Sequence, residues 1–312
     1  MDCDLGIWSG CGSKSTPNSG KWCIMAEIQI LGSAAAEGIP AIFCNCRVCR
    51  EAWKKGGRDV RMRTAYKLSD TVRVDFGPDS LAQEYKFQLH SERLRHIFFT
   101  HSHEDHCEPE LLSYRMPGFS AVDEDNILNV YGNVGVIRLL QRFFWEKDYR
   151  QFAGDFGRLH MRLHLLEAYK PVVLPEEDME FHPLPADHQL DAVAELPQIF
   201  VFRHGTSWGL IANDTGFFRE EVWQYLETKK YKFDLVISDC TAGLQDWERS
   251  HMSGKFVLET KRRLEAMGCV TDGTKYFINH FSHNGLATHA ELEAHYNPYG
   301  IQVAYDGLTV KF

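Results

Sequence analysis

Apolar and polar residues alternate from Ile24 to Leu31, the two-residue period of a half-buried strand, and the pattern breaks at Gly32-Ser33. Further strands are predicted over Leu68–Asp75, closed by Gly77-Pro78, and over Leu94–Thr100, where the apolar run Ile97-Phe98-Phe99 reads as buried on both faces. Met161–Leu166 and Met179–Leu184 read the same way, and Ile199–Arg203 with Trp208–Asn213 predicts a hairpin around His204-Gly205-Thr206. Leu235–Ser238 is a buried strand ending at Asp239, Lys275–Asn279 leads to His280, and Gln302–Lys311 is expected to close the chain as a hairpin through Asp306-Gly307. Helical spacing marks Val134–Tyr149, with Val136, Ile137, Leu140 and Phe144 on one side, and also Phe217–Thr228 and Gly254–Met267. Strands come in clusters with helices inserted, without strict alternation. That order favours an α/β architecture of sheets packed face to face with helices outside, over a doubly wound parallel sheet.

Composition narrows the class. A chain of 312 residues with 44% hydrophobic residues can bury a substantial core. With no internal repeat or long linker, one domain over residues 23–312 is expected, preceded by a flexible leader or extra hairpin over residues 1–22. A net charge of −9 argues against broad nucleic-acid binding, and no apolar stretch reaches membrane-spanning length. The first residues lack a basic-then-apolar signal pattern, so a cytoplasmic location is expected. There the nine cysteines are more readily metal ligands than disulfides.

The chemistry concentrates in Thr100-His101-Ser102-His103-Glu104-Asp105-His106. In an extended turn leaving a strand, alternate residues point the same way, so His101 and His103 can grip one metal ion while Asp105 and His106 face a second. Imidazoles with a carboxylate leave coordination positions open, as a catalytic site requires. His188, Asp214 and His280 each follow a predicted strand and can complete two sites, with the Asp214 carboxylate able to bridge them. Taken singly, Asp214 also reads as a turn or cap residue, and either histidine as a surface group. A second cluster, Cys44, Cys46 and Cys49, sets three soft thiolates on one loop. His283 is the natural fourth ligand of a structural zinc there, with a redox or free-thiol reading left open.

These motifs resemble the metallo-β-lactamase superfamily, whose signature is His-x-His-x-Asp-His followed by His, Asp and His at strand ends. The resemblance runs from about Ile24 to the C-terminus, and His101, His103, Asp105, His106, His188, Asp214 and His280 match the seven ligand positions. It implies a four-layer αββα sandwich, and Asp75 matches an aspartate that supports the site without binding metal. The cysteine cluster with His283, three residues beyond the last ligand, is similar to the PhnP-type phosphoribosyl cyclic phosphodiesterase family, as is the small-residue stretch Gly32-Ser33-Ala34 to Ile39-Pro40. That likeness implies two divalent ions (zinc or manganese) in the active site, one structural zinc, and a leaving-group proton donor at the position of His251. A lone histidine at a helix head also reads as a cap.

The reaction so implied is hydrolysis of a small cyclic phosphodiester such as phosphoribosyl 1,2-cyclic phosphate by a metal-bridged hydroxide, with His251 and Asp105 as the catalytic residues. The partner is then a small phosphorylated substrate, with neither nucleic acid nor membrane, and a homodimer is left open. Other readings are a hydrolase of thioesters, lactones or β-lactams, a nuclease, and a non-catalytic cofactor-biosynthesis protein of the pyrroloquinoline-quinone type. Two features depart from the family. These are the N-terminal extension and the segment Ser113–Asp187, whose aromatic and basic residues are expected to shape the substrate pocket. Arg47, Arg115 and Arg203 are candidates for a distal phosphate, with nothing to select among them.

Overall fold

The structure, a computed structural model, describes residues 25–146, 156–189 and 195–312. The leader expected over residues 1–22 and the last turn of the helix predicted to reach Tyr149 lie outside these residues. One seven-stranded sheet contains β1 (Glu27–Gly32), β2 (Ala65–Lys67), β3 (Val72–Val74), β4 (His96–Phe98), β5 (Leu128–Gly132), β6 (Met161–Leu165) and β14 (Thr309–Lys311). Its order is β14-β1-β2-β3-β4-β5-β6. The other contains β7 (Val172–Leu174), β8 (Met179–Pro185), β9 (Gln198–His204), β10 (Ser207–Ala212), β11 (Leu235–Asp239), β12 (Lys275–Asn279) and β13 (Gln302–Val303). These run β13-β12-β11-β10-β9-β8-β7 across the sheet.

Strand alternation then dictates the layers. In β4 and the residue after it, Phe98 points between the sheets while Ile97 and Phe99 point outward. A strand covered on both faces therefore reads as one apolar run. Between the sheets Phe98 stacks on Phe181 at 3.9 Å and on Tyr131 at 4.3 Å. Over the first sheet lie α3 (Pro109–Ser113) and α4 (Val134–Glu146), which bury Leu112, Val136, Leu140 and Phe144 against Ile97 and Val130. Over the second lie α5 (Glu220–Lys229), α6 (Lys255–Ala266) and α7 (His289–Tyr296), burying Trp223, Leu264 and Tyr296 against Val201, Leu210 and Val236. The result is the expected αββα sandwich. Two helices, α1 (Arg47–Lys55) and α2 (Ser80–Phe87), sit in the early loops. Among the described residues no helix is long and apolar enough to cross a membrane.

Two sequence expectations need correction. Leu68–Asp75 is not one strand: residues 68–71 turn, and β2 pairs antiparallel with β3, Tyr66 opposite Val74. Polar side chains stabilise that turn, with Ser69 Oγ accepting from Thr71 N–H at 3.2 Å and Lys67 paired to Asp70 at 2.7 Å. Gln302–Lys311 is not a hairpin either. β13 pairs parallel with β12, whereas β14 pairs antiparallel with β1 of the opposite sheet. The Asp306-Gly307 turn hands the chain across, since Gly307 N–H donates to Ile30 O (2.7 Å) and the Asp306 carboxylate accepts from Ser33 Oγ and Met62 N–H (both 2.6 Å). Local pattern cannot distinguish a partner strand nearby in sequence from one across the core.

Candidate metal centre

The clustered histidines and carboxylates gather at the sheet edge where β3, β4, β8, β10 and β12 end. Asp75 and His280 directly follow β3 and β12, Asp214 comes one residue after β10, and these three hold a left-handed backbone, with φ of 62°, 63° and 50° respectively. Non-glycine residues adopt this conformation at a cost, and such outliers concentrate at functional sites. Here the turn ends each ladder and brings the side chain inward.

The inward atoms stand close together. His103 Nδ1 lies 3.0 Å from His101 Nε2 and 3.3 Å from His188 Nε2. His106 Nε2 lies 3.0 Å from Asp105 Oδ2 and 2.9 Å from Asp214 Oδ2, and His280 Nε2 is also 2.9 Å from Asp214 Oδ2. The other Asp214 oxygen faces His188 Nε2 at 3.8 Å, so one carboxylate touches both groups of histidines. Tetrahedral ligands of zinc at about 2.0–2.1 Å stand about 3.3 Å apart, and these separations match that spacing. The buried atoms His106 Nε2, His280 Nε2 and Asp214 Oδ2 have no hydrogen-bond partner despite this crowding. Buried polar atoms that face one another without a hydrogen bond are suited to share a cation, and the donor set fits divalent cations.

The outer nitrogens of His106, His101, His188 and His280 are engaged. Asp75 Oδ2 takes His106 Nδ1 at 2.8 Å and is itself held by Thr100 N–H through Oδ1 at 2.9 Å. Thr100 Oγ1 meets His101 Nδ1 at 3.0 Å, Ser250 O meets His188 Nδ1 at 2.9 Å, and Thr241 Oγ1 meets His280 Nδ1 at 2.8 Å. Partners of this kind fix the ring and its tautomer. Burial drives His101 well below its ordinary pKa, with His106 adding to the effect. His106 goes the other way: burial opposes its charge, but Asp105, Asp214 and Asp75 around it prevail. Asp105 and Asp214 are likewise held below the carboxylate range against burial, by His106 and by His280 with His106 respectively.

His251 joins this cluster from the loop before α6. Its Nδ1 is 3.2 Å from Asp239 Oδ2, 3.1 Å from Thr241 Oγ1 and 3.8 Å from Asp214 Oδ1, and its ring stacks on His280 at 5.6 Å. Burial lowers its pKa, but Asp239 and then Asp214 and Asp105 more than reverse this and lift it to about 9. Asp239 was legible in sequence only as a strand end. Wholly buried, it also accepts from the N–H groups of Asp214 (3.0 Å), Thr241 (2.9 Å) and Met252 (3.2 Å). Its position at the end of a buried strand, beside strands that deliver Asp214 and His280, was the available signal.

Cys44, Cys46, Cys49 and His283 form the second cluster, their donor atoms within 4.8 Å of one another. Cys44 and Cys46 Sγ are 3.4 and 3.6 Å from His283 Nδ1. A tetrahedral zinc with these ligands spaces sulfur and nitrogen about 3.5 Å apart. Burial pushes the Cys49 thiol up to about 12. Burial also opposes the Cys46 thiolate, yet the Cys49 N–H, His283 and Cys44 bring its pKa down to about 6.

The first cluster floors a cleft of about 270 Å³ walled by Ala35, Glu37, Trp247, Ser282 and Asn284. No described residue of Ser113–Asp187 lines it, contrary to expectation. That segment instead supplies β5 to β8 and α4, and Tyr114 and Arg115 line a separate cavity of about 370 Å³ over the first sheet. The three arginines are also occupied elsewhere. Arg47 pairs with Glu291, Arg115 donates to backbone carbonyls, and Arg203 pairs with Asp178.

An αββα sandwich with clustered histidines and carboxylates at one sheet edge defines the class of metallo-β-lactamase-like proteins. The chain matches the Beta-lactamase superfamily domain over residues 70–278 and belongs to that superfamily. A curated relative, a ribonuclease Z of Porphyromonas gingivalis, is 26% identical over 128 residues, 39% of this chain. The chain spans only 38% of that relative's length. Among solved structures, a diphosphatase from the PhnP family superposes with a TM-score of 0.68 at 21% identity, covering 93% of this chain and 98% of that one. Zn²⁺-bound PqqB from Methylobacterium extorquens gives a TM-score of 0.69 at 15% identity, covering 92% and 100%. At these identities the structural likeness is one of fold.

Proposed function

We propose that the protein is a metal-dependent hydrolase of small cyclic phosphodiesters, with phosphoribosyl 1,2-cyclic phosphate the compound suggested by resemblance to the PhnP-type family. His101, His103 and His188 would hold one divalent ion, Asp105, His106 and His280 a second, and Asp214 would span them. Cys44, Cys46, Cys49 and His283 would hold a structural zinc. Zinc or manganese bound there would supply a water nucleophile near neutral pH and offset charge on the phosphoryl oxygens. The protein's own part is to orient. Asp75 and Thr100 set the rings of His106 and His101, and Thr241 sets that of His280.

The observation that carries the reading is the position of His251 against Asp239 and Asp214, at the floor of the cleft. With Nδ1 on Asp239, Nε2 is left to donate a proton to the departing oxygen, a role worth roughly a hundredfold to ten-thousandfold in rate. Carbonyl substrates with good leaving groups have less need of such a donor. The test is steady-state hydrolysis of bis-p-nitrophenyl phosphate and 2′,3′-cyclic nucleotides with manganese or zinc, comparing wild type and His251→Ala. The expected result is a loss of roughly a hundredfold or more on the cyclic substrates at unchanged metal content. A fully metallated wild type that cleaves no phosphodiester would overturn the reading and favour thioesters, lactones or cofactor binding.

A further inference from the structure

Beyond the clustered ligands, the cleft wall carries Glu37, a residue the proposed chemistry does not use. The Ala35–Gly38 turn, closed by Gly38 N–H donating to Ala35 O at 3.0 Å, puts Ala36 and Glu37 at its corner. Gly38 has φ of 68°, and Arg63 Nε holds Ala36 O at 2.6 Å, so the turn is braced from both sides. The carboxylate is braced as well. Its Oε1 accepts from Ser282 Oγ and lies 3.4 Å from Asn284 Nδ2 and 3.5 Å from His283 Nε2. His283 thus has one ring nitrogen facing the cysteines and the other facing Glu37, and it fixes the carboxylate to the cysteine loop. Trp247, 41% exposed, lines the same cleft.

We propose that Glu37 determines substrate specificity, selecting cyclic phosphodiesters whose remote end is an uncharged, hydroxylated sugar bearing a planar ring. This rests on the phosphodiesterase reading, keeps its reaction and sets aside the compound that resemblance alone suggests. A reacting phosphate seated on the clustered ligands extends its remaining part past Glu37, Trp247 and Asn284. The free hydroxyl of such a sugar, the 5′-hydroxyl of a nucleoside 2′,3′-cyclic phosphate, donates there to a carboxylate in a charge-assisted hydrogen bond, and the indole offers an apolar face to a ring. A second phosphate at that end meets a fixed negative charge, and like-charge juxtaposition weakens binding. Nucleoside 2′,3′-cyclic phosphates fit these walls better than phosphoribosyl 1,2-cyclic phosphate, whose name declares the second phosphate.

The test compares kcat/KM for adenosine 2′,3′-cyclic phosphate with that for the same compound carrying a 5′-phosphate, in wild type and Glu37→Gln, with zinc per chain measured on both proteins. Wild type is expected to prefer the compound without the 5′-phosphate by about tenfold or more, mainly through KM, and Glu37→Gln to narrow that ratio at unchanged zinc. Preference for the 5′-phosphorylated compound, or a ratio unmoved by Glu37→Gln, would overturn the inference and leave the phosphodiesterase reading intact. A ratio that changes together with loss of zinc would assign Glu37 to support of the cysteine loop, and so also overturn it. Cleavage of neither compound by metallated wild type would remove the phosphodiesterase reading and this inference with it.

Discussion

Two buried carboxylates act on the proposed centre without belonging to it. Asp75 and Asp239 are 1% and 0% exposed, and each is held by backbone and hydroxyl donors on one side while facing an imidazole on the other. Removing such a partner frees a ring to rotate and lowers its basicity, which typically weakens metal affinity about 10–100-fold. Asp75→Ala is accordingly expected to weaken the second ion by about that factor, measured by competition with a chromogenic chelator. Equal affinity in mutant and wild type would reduce Asp75 to a packing residue. Burial holds its own pKa above the ordinary value despite His106 beside it.

The elements matter through their ends. Gly77, in the turn after β3, lies so close to the motif loop that an added Cβ would meet Asp105 O at 1.9 Å and Asp105 C at 2.7 Å. That contact is with backbone, so the motif loop must shift. Gly77→Ala is expected to lower metal occupancy at Asp105 and His106, read by metal analysis after gel filtration, and to cost about 1–3 kcal/mol in denaturant unfolding. A fully loaded, equally stable variant would show that the loop yields freely. The cysteine loop is likewise an end effect. Cys46 caps α1 through the Cys49 N–H, and Arg47 on the same helix pairs with Glu291 on α7. Cys46→Ser is expected to lower bound zinc by about one equivalent while the paired site stays loaded, since its ligands come from other strands. Retention of that equivalent would remove the structural zinc from the picture.

At the scale of the whole molecule, the proposed centre spans the sandwich. His101, His103, Asp105 and His106 leave β4 in one sheet, whereas His188, Asp214 and His280 follow β8, β10 and β12 in the other. Ions held between them would cross-link the two sheets near the edge of the inter-sheet core. A ligand that binds only the folded state at about 100 times its Kd stabilises it by about 2.7 kcal/mol per site. The thermal midpoint of this protein is therefore expected to fall on treatment with EDTA and to rise with added zinc or manganese in a concentration-dependent way. A midpoint indifferent to both would count against metal binding at either cluster.

Strand and helix patterning determined much of this protein by itself. Ile97-Phe98-Phe99 announced a strand buried on both faces, and the hairpin at His204-Gly205-Thr206 forms with Ser207 opposite His204. The motif residues were legible because metal ligation demands particular side chains at short spacing, and short spacing survives in a linear text. Tertiary structure alone decided the rest. It parted Gln302–Lys311 between two sheets, because strand partners are chosen by long-range packing. It kept the described residues of Ser113–Asp187 away from the cleft and put Val136, Leu140 and Phe144 into the core, since aromatic and aliphatic residues satisfy either environment equally well on paper. It also brought Asp239 behind His251 and Glu37 beside His283, contacts between residues of ordinary type. A carboxylate acquires such a role from its neighbours in space, and those neighbours exist only once both sheets have closed.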